Sequence, residues 1–455
     1  MQDFHAQTGQ VEHPRRSSSC SIESLAVELP KLRRLLLVAY YFPPQPKAGA
    51  LRPAYLARYL PDFGWEPTVL TVDYPGDPPR DCHVVRVRQT IKTSKLAKSS
   101  WTTTPRHRTK AELLVRGLAR SMLYFPDDAV SWLLPARHKA FQLCKETHFD
   151  ALASTLPPPT AHFVARTVAK GFQLPWLADY RDLWSGPPDP YFERNFGSIR
   201  RIVSYAFERW LLKPASALTA PTRAHAKALG QYFRFPDVRV IPNACDLDVW
   251  KSLAIGPPPE FSLCYTGTLY PNLRTPKTLF SAVSRLRAIG DPAAKDIRLD
   301  FYGENPTFVT QFASNYGITD IVRVHGEVDR LSAMRAQRNA AVLILLLDTD
   351  GVIDRVEVAN PGSKVLEYAG AGRPILALGS KNNEIRHMLD TTRLGLFASD
   401  ETSCIGAIRN LHNLFKQGVY RPAVNPSWHP YAPRDLAGDF AAVLDRLTAK
   451  KLKYR

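Results

Sequence analysis

The amino-acid sequence predicts an α/β protein built from two doubly wound domains in tandem. Strand-like and helix-like segments alternate from Arg33 onward, stop in a proline-rich stretch, and then alternate again. The first strand candidate, residues 35–41, is apolar on both faces. Strands of this kind are buried in a parallel sheet that helices cover on each side, and their alternation with helices is typical of doubly wound sheets.

The elements follow one another in a regular order. The first half holds seven strand candidates, residues 35–41, 68–72, 84–87, 151–154, 176–178, 217–219 and 238–241. Helical patterns lie at residues 51–63, 112–123, 132–147, 161–170, 199–213 and 223–233. The second half holds six strand candidates with helices between them, residues 261–266, 298–302, 322–325, 341–347, 374–377 and 394–397. A last helix is predicted over residues 435–448.

These patterns divide the chain into five segments. They are a disordered lead-in (1–30), a first Rossmann-like domain (31–248), a linker (249–260), a second Rossmann-like domain (261–425), and a terminal helix with its tail (426–455). The linker contains Gly256 and three consecutive prolines, which interrupt regular structure. Two facing domains of this kind bring the carboxyl ends of both sheets to one cleft, where open α/β sheets bind ligands.

Composition excludes several classes of protein. No run of 18 apolar residues is present, so no membrane-spanning helix is predicted. The six cysteines form no Cys-x-x-Cys pair and no zinc-ligand spacing, which favours a reducing compartment. The first 28 residues lack the apolar core of a secretory signal, and the protein is expected to be cytoplasmic.

The chain is strongly basic, with 60 Lys and Arg against 42 Asp and Glu, a net charge of +18. Half of this excess lies between Arg86 and Arg120. Such a block attracts nucleic acid, an anionic bilayer or phosphorylated substrates, unless it is only a solvated surface. No recognised nucleic-acid-binding module accompanies it, so nucleic acid is not an expected partner. An anionic membrane surface is a candidate partner, because an apolar helix face here is flanked by Arg108, Lys110, Arg116 and Arg120.

Two motifs of the first domain follow strands. Gly49 and Arg52 come after the first strand, where a small residue lets the backbone approach a ligand, although an ordinary tight loop has the same pattern. In the second motif, Asp179, Arg181 and Asp182 end an apolar strand. Charged side chains are costly to remove from water in such a place, unless they are paired with other groups or take part in function. Either they form a structural Asp–Arg pair, or they contact a hydroxyl-rich substrate with an Asp as proton acceptor.

A third motif, YTGTLY, opens the second domain. Gly267 and Thr268 follow the strand at residues 261–266, and Gly267 again permits close backbone approach. Arg274 and Lys277 come shortly after it. These two cations suit a diphosphate, or they belong to the exposed surface of a helix.

The fourth motif, PGSKVLEYAGAGRP, is the most specific. Asn360 is a good N-cap, Pro361 suits the first helical position, and Gly372 suits the end of the helix. The helix start would present free amides and the positive end of the helix dipole to an anion. Lys364 and Glu367 share a face, so the pattern predicts phosphates at the helix start and ribose hydroxyls on Glu367.

Taken in order, the motifs YYFPP, DYRDLW, VIPNACDLD, YTGTLY and PGSKVLEYAGAGRPIL resemble those of glycosyltransferase family 4, which has the GT-B fold. The resemblance runs from Arg33 to Leu447. It implies a retaining transferase that needs neither metal nor cofactor and uses a nucleoside diphosphate sugar as donor substrate. It also implies that the terminal helix crosses back onto the first domain.

Residue chemistry and the resemblance together assign the candidate residues to three roles. The catalytic candidates are Asp182, Arg274 and Lys277. The donor-binding candidates are Gly267, Thr268, Asn360, Gly362, Ser363, Lys364 and Glu367. The acceptor-binding candidates are Gly49, Arg52, Asp179, Arg181 and His162. A lone histidine such as His162 is more often simply hydrogen-bonded within the fold than in contact with substrate. The acceptor is expected to be a saccharide or a lipid-linked molecule, in polysaccharide or glycolipid synthesis, with the enzyme cytoplasmic or peripheral on the inner face of the membrane.

The sequence departs from the family pattern at two points. Family members often carry two glutamates with seven residues between them; the second corresponds to Glu367, and the first position is Ala359. Asn243 is followed by Ala where Gly is usual. Two alternatives stay open: a sugar-nucleotide epimerase of the same fold, or a catalytically weak sugar-nucleotide-binding protein. Asp348 and Asp350 match the Asp-x-Asp motif that binds a metal in a different transferase fold, and no metal is expected here.

Overall fold

The computed structural model of the chain describes residues 32–45, 47–90, 125–185, 202–245, 247–269, 275–347, 362–379, 384–422 and 432–453. Two parallel sheets organise these residues, one of seven strands and one of six. This arrangement confirms the predicted fold class, an α/β protein with two Rossmann-like domains. The domain boundaries given above stay predictions.

In the first sheet, the order in which successive strands are added reverses between β1 and β4. Its strands are β1 (Arg33–Val38), β2 (Trp65–Val72), β3 (His83–Val87), β4 (Ala151–Leu156), β5 (Trp176–Tyr180), β6 (Ala217–Ala220) and β7 (Val238–Val240). They lie in the order β3-β2-β1-β4-β5-β6-β7, and every neighbouring pair is parallel. The chain runs from β1 to one edge and then returns to place β4 on the other side of β1. Doubly wound sheets bind ligands outside the carboxyl ends of the two strands at such a switch point.

Helices cover both faces of the first sheet. They are α1 (Leu51–Tyr59), α2 (Leu133–Glu146), α3 (Thr160–Phe172), α4 (202–212) and α5 (Arg223–Phe233), followed by the short α6 (Asp248–Lys251). In β1, Leu36 and Val38 pack into the core on one face, whereas Leu35 and Leu37 pack into the core on the other. This double burial is what the all-apolar first strand predicted. The predicted helix at residues 112–123 lies outside the described residues.

The second sheet repeats the arrangement. Its strands are β8 (Ser262–Thr266), β9 (Arg298–Tyr302), β10 (Val322–Gly326), β11 (Val342–Leu346), β12 (Ile375–Leu378) and β13 (Gly395–Ala398), in the order β10-β9-β8-β11-β12-β13. Its helices are α7 (Lys277–Ala288), α8 (Pro292–Asp296), α9 (Pro306–Asn315), α10 (Arg330–Asn339), α11 (Gly362–Ala371), α12 (Glu384–Thr392) and α13 (Glu401–Lys416). The switch point lies between β8 and β11, so a ligand crevice is expected outside the carboxyl ends of these two strands.

The last helix, α14 (Pro433–Lys453), packs on the first sheet rather than on the second. Phe440 and Leu444 are fully buried in the same core as Leu35 of β1. At its surface edge, the Trp65 indole donates a hydrogen bond of 2.8 Å to Asp445. The first sheet therefore takes part of its core from the end of the chain.

Within the described residues, no helix combines the length and the apolar character needed to cross a lipid bilayer.

Candidate functional site

Two of the predicted acceptor-binding residues bind each other in the interior. Arg52 of α1 donates hydrogen bonds of 2.9 and 2.8 Å to the two carboxylate oxygens of Asp179, at the end of β5, and both side chains are buried. Thr219 donates a further bond of 2.6 Å to the same carboxylate, and Arg52 reaches the carbonyl of Pro242 at 2.9 Å. Burial works to raise the pKa of Asp179, but the Arg52 guanidinium and these hydrogen bonds hold it below its usual range.

The structure pairs Arg52 and Asp179 with each other in the interior, and their predicted contact with the acceptor stays a prediction. Their charges and hydrogen-bonding groups are used to join α1, β5 and the segment after β7. The structural Asp–Arg pair considered for this motif therefore exists, with Arg52 as the partner rather than Arg181.

His162 of α3 is likewise an interior residue. It has no exposed surface, its Nδ1 lies 2.8 Å from the Ser154 hydroxyl, and its ring packs edge-on against Trp176 and Tyr180. Burial lowers its pKa to about 3, with the Asp179 carboxylate opposing the shift, so the ring is neutral at physiological pH. The structure encloses the ring within the fold, and its predicted contact with the acceptor stays a prediction.

Three other predicted residues meet at the first switch point. Arg181 lies over Gly49, where an added Cβ would come 2.7 Å from the Nη2 atom, so a larger residue there would push the guanidinium aside. The same Nη2 donates a 2.9 Å hydrogen bond to the carbonyl of Pro157, in the turn after β4. Asp182, the next residue, is exposed. A cation and an exposed carboxylate thus lie where the loops after β1 and β4 come together.

The sequence analysis missed Glu208 of α4, which holds the loop after β5. Its carboxylate accepts hydrogen bonds from the Tyr180 hydroxyl (2.7 Å) and from the backbone N–H (3.0 Å) and hydroxyl of Ser185. Burial raises its pKa to about 7, although these bonds act to lower it. One signal was available, because Ser204, Glu208 and Leu211 are spaced to share the buried face of the helix.

In the second domain, Lys364 lies directly over Gly267. The Lys364 ammonium donates a hydrogen bond to the carbonyl of Thr266, the last residue of β8. Gly267 has a φ of 138°, a conformation that side chains rarely allow, and a Cβ there would come 3.1 Å from Lys364 Cε and closer still to its nitrogen. The glycine therefore makes room for the cation at the carboxyl end of β8.

One face of α11 is fastened to that same strand end. Lys364, Glu367 and Tyr368 are spaced by three and four residues, so they lie on one side of the helix. The Tyr368 hydroxyl accepts a 3.1 Å hydrogen bond from the Thr266 N–H. Glu367 is half-buried and accepts a 2.7 Å bond from Gln337 of α10, a residue that the sequence analysis did not single out.

The remaining donor-side predictions lie around this face. Helix α11 begins at Gly362, and Lys277 is exposed at the first residue of α7. The carbonyl of Thr268 accepts a 3.0 Å bond from the Tyr265 hydroxyl. The side chain of Ser363 is not described. Outside the described residues lie Arg274, Asp348, Asp350, Ala359 and Asn360. In the described part of the chain, no group of three His, Cys, Asp or Glu side chains is placed to hold a metal ion.

Comparison with known proteins agrees with this architecture. Residues 53–249 match the family model described as Glycosyltransferase Family 4, and residues 260–413 match the one described as Glycosyl transferases group 1. Together these segments make up about three quarters of the chain. No curated protein sequence matches the chain significantly.

Solved structures share the fold at low sequence identity. Sucrose-phosphate synthase from Thermosynechococcus elongatus is 13% identical, with a TM-score of 0.56 over 93% of this chain and 98% of that chain. HepE of Anabaena, in complex with UDP and glucose, is 12% identical, with a TM-score of 0.51 over 93% and 100% of the two chains. WaaG, a glycosyltransferase involved in lipopolysaccharide biosynthesis, is 12% identical, with a TM-score of 0.52 over 92% and 98%. The fold, the two switch points and the two family models lead to one conclusion: the chain is a family-4-like glycosyltransferase with the GT-B fold, whose first domain matches Glycosyltransferase Family 4 and whose second matches Glycosyl transferases group 1.

Proposed function

We propose that this glycosyltransferase moves a hexose, with retention of configuration, from a nucleoside diphosphate sugar to a hydroxyl group of a saccharide or lipid-linked acceptor. The observation that carries the proposal is the face of α11 at the second switch point. It sets Lys364 over Gly267 and places the Glu367 carboxylate one helical turn deeper.

This face suits a nucleoside diphosphate. The first turn of α11 offers backbone N–H groups and the positive end of its dipole to a diphosphate. Lys364 adds a positive charge next to a glycine that lets the ligand approach the backbone. Glu367 lies about one helical turn further along the same face, where we assign it the ribose that follows the phosphates. The Anabaena structure, solved with UDP and glucose, supports a donor of this chemical class.

Transfer requires that negative charge on the leaving diphosphate be stabilised. We assign this role to Lys277, exposed at the start of α7, and to Arg274 just before it in the sequence. Positive side chains and helix N-termini then stabilise the negative charge on the diphosphate, as a metal ion does in other transferases. Transfer is therefore expected to continue in EDTA. Activity that EDTA abolishes and Mg²⁺ restores would contradict this assignment.

The acceptor is proposed to bind at the first switch point. The exposed carboxylate of Asp182 is placed to accept a hydrogen bond, and finally a proton, from an acceptor hydroxyl. Arg181, held between Gly49 and Pro157, supplies further donors for sugar oxygens or phosphates. Of the acceptor-binding candidates, Gly49 and Arg181 lie at this switch point, beside the catalytic candidate Asp182.

Thermal stability in the presence of nucleotides tests the donor site first. UDP, GDP, ADP and dTDP are added to the purified protein, and one of them is expected to raise the melting temperature, because a ligand of the folded state stabilises it. Lys364→Ala should remove that increase, whereas the control Lys145→Ala, at an exposed position on α2, should keep it. No increase with any nucleotide would overturn the donor site.

Transfer itself is measured with the nucleotide sugar so identified and a membrane extract as the acceptor. Lys277→Ala is expected to lower the rate at least tenfold, and an unchanged rate would remove Lys277 from the mechanism. Conversion of the nucleotide sugar without any acceptor would instead support the epimerase alternative.

One further observation favours a peripheral position on an anionic membrane. The outward face of α4 exposes large apolar side chains, with Ile202 at 66% and Phe207 at 42% exposure, on a protein with a net charge of +18. Apolar side chains on a basic protein suit the interface of an anionic bilayer. The basic helix predicted around Arg108 and Arg120 lies outside the described residues. Sedimentation with phosphatidylglycerol vesicles, but not with phosphatidylcholine vesicles, is expected, and Phe207→Ser should weaken it. Equal sedimentation with both, or with neither, would overturn the proposal.

A further inference from the structure

Gln337 is a fully buried amide on an otherwise polar helix. Helix α10 has the sequence RLSAMRAQRN, and only Met334 and Gln337 are buried in it. Gln337 has no exposed surface, although burying an amide is unfavourable unless its hydrogen bonds are made. A side chain in this position therefore calls for a physical reason.

Both N–H groups of the Gln337 amide donate hydrogen bonds, and both acceptors belong to the proposed site for the donor nucleotide. Nε2 donates a 2.8 Å hydrogen bond to the hydroxyl of Thr266 and a 2.7 Å bond to Oε1 of Glu367. The amide oxygen is buried and makes no hydrogen bond within the described residues. The reverse orientation of the amide would place this oxygen against a carboxylate, so Glu367 determines which way Gln337 points.

The two bonds join Glu367 to the end of β8. Thr266 is the residue before Gly267, and its N–H is bound by Tyr368, the neighbour of Glu367 on α11. A glutamate side chain has several rotatable bonds, and holding it in one rotamer costs conformational entropy. Gln337 supplies that restraint before a ligand arrives, and the bond occupies only Oε1, which leaves Oε2 to accept from a ligand hydroxyl.

We propose that Gln337 is a positioning residue that aims the Glu367 carboxylate at the ribose hydroxyls of the donor nucleotide, and thereby sets the preference for ribose over 2′-deoxyribose. The inference rests on the proposed function, which gives Glu367 its contact with the ribose. A site built to bind a hydroxyl discriminates against the analogue that lacks it, because its own polar group is then left unpaired. A carboxylate that is free to turn away from the site loses this discrimination.

The test compares nucleotide pairs by calorimetry on the full chain. UDP, GDP and ADP are each titrated beside their 2′-deoxy counterparts. For the nucleotide that binds most tightly, the wild-type protein is expected to prefer the ribose form by about tenfold or more, as for a hydrogen bond to a charged group. Gln337→Met, which keeps the volume and removes the amide, should reduce that preference to about threefold or less. Binding of the deoxy form should stay nearly unchanged.

A matched control separates positioning from general destabilisation. Met334→Ala truncates the other buried side chain of α10 and leaves both hydrogen bonds of the Gln337 amide intact. It should lower thermal stability to a similar degree and keep the preference for ribose. If Gln337→Met folds poorly, Gln337→Asn keeps the amide, shortens its reach by one methylene, and should show the same loss of preference. Full preference in the folded variant overturns the inference.

Glu367→Ala distinguishes failure of this inference from failure of the proposed function. It should abolish the preference for ribose, and adding Gln337→Met to it should then change nothing, because the amide acts only through the carboxylate. If Glu367→Ala keeps the preference, or if no nucleotide binds the wild-type protein, the proposed donor site is wrong. If Glu367→Ala loses the preference and Gln337→Met keeps it, only the role of Gln337 is wrong.

Discussion

The buried Glu208 makes stability depend on pH in a defined direction. Its pKa is raised from 4.5 to about 7 because the carboxyl is removed from water, in spite of the hydrogen bonds from Ser185 and Tyr180. Between these two values the folded protein holds a proton that the unfolded chain has released. The contribution of Glu208 to stability is therefore greatest at low pH, falls as the pH rises from about 4.5 to about 7, and changes little above that.

Glu208→Gln removes this dependence and nearly keeps the shape of the side chain. A rise in pKa from 4.5 to about 7 makes the contribution of Glu208 to the unfolding free energy on the order of 3 kcal/mol smaller above the titration than below it. As the pH rises from 4.5 to 8, the unfolding free energy of the variant should therefore increase by about 3 kcal/mol relative to that of the wild-type protein. A constant offset is also expected, because the amide N–H₂ now faces a donor of Ser185 or Tyr180.

Urea unfolding of both proteins at several pH values, followed by tryptophan fluorescence, measures this gain. Subtraction isolates Glu208, because other buried groups titrate equally in both proteins: burial raises the pKa of Asp127 to about 6 and lowers the pKa of His162 to about 3 and that of His225 to about 4. Gln311→Ala, which replaces an exposed side chain without an ionisable group on α9, is the control and should give a difference that does not vary with pH. The same flat difference for Glu208→Gln would refute the reasoning.

Three further predictions concern other contacts. Asp179→Asn leaves the buried Arg52 without a counter-charge and should cost about 3–5 kcal/mol of unfolding free energy in a urea titration; a loss below 1 kcal/mol would mean that water reaches the pair. Phe440→Ala removes a fully buried ring and should cost about 3–5 kcal/mol, seen as a lower melting temperature. Gly267→Ala forces Lys364 aside and should weaken nucleoside diphosphate binding at least tenfold by calorimetry, so unchanged binding would contradict the donor site.

The regular elements were accessible from the sequence because their signals are local. Each of the thirteen predicted strands is present, and the helix predicted at residues 223–233 has these bounds, with Thr222 capping it through a bond from the His225 N–H. Apolar runs bounded by turn residues identify buried parallel strands whatever lies around them. Gly372 likewise ends α11 with a φ of 70°, as the motif predicted.

The side-chain pairings were not accessible, because they join residues far apart in the chain. Arg52 and Asp179 are separated by 127 positions, and only the fold shows that they bind each other rather than a substrate. Gln337 lies in a helix rich in arginine, a pattern that is typical of surface residues. Its burial follows from where α10 packs against β8, which no local pattern records.

The position of α14 has a consequence for how the chain is made and how it can be divided. Trp65 and Asp445 are in contact although 380 positions separate them, and Phe440 completes a core that begins at Leu35. During synthesis the first sheet leaves the ribosome with part of one apolar face uncovered, and that part stays open until almost the entire chain has been made. A gene cut between the two sheets would therefore yield a first half without its last core helix.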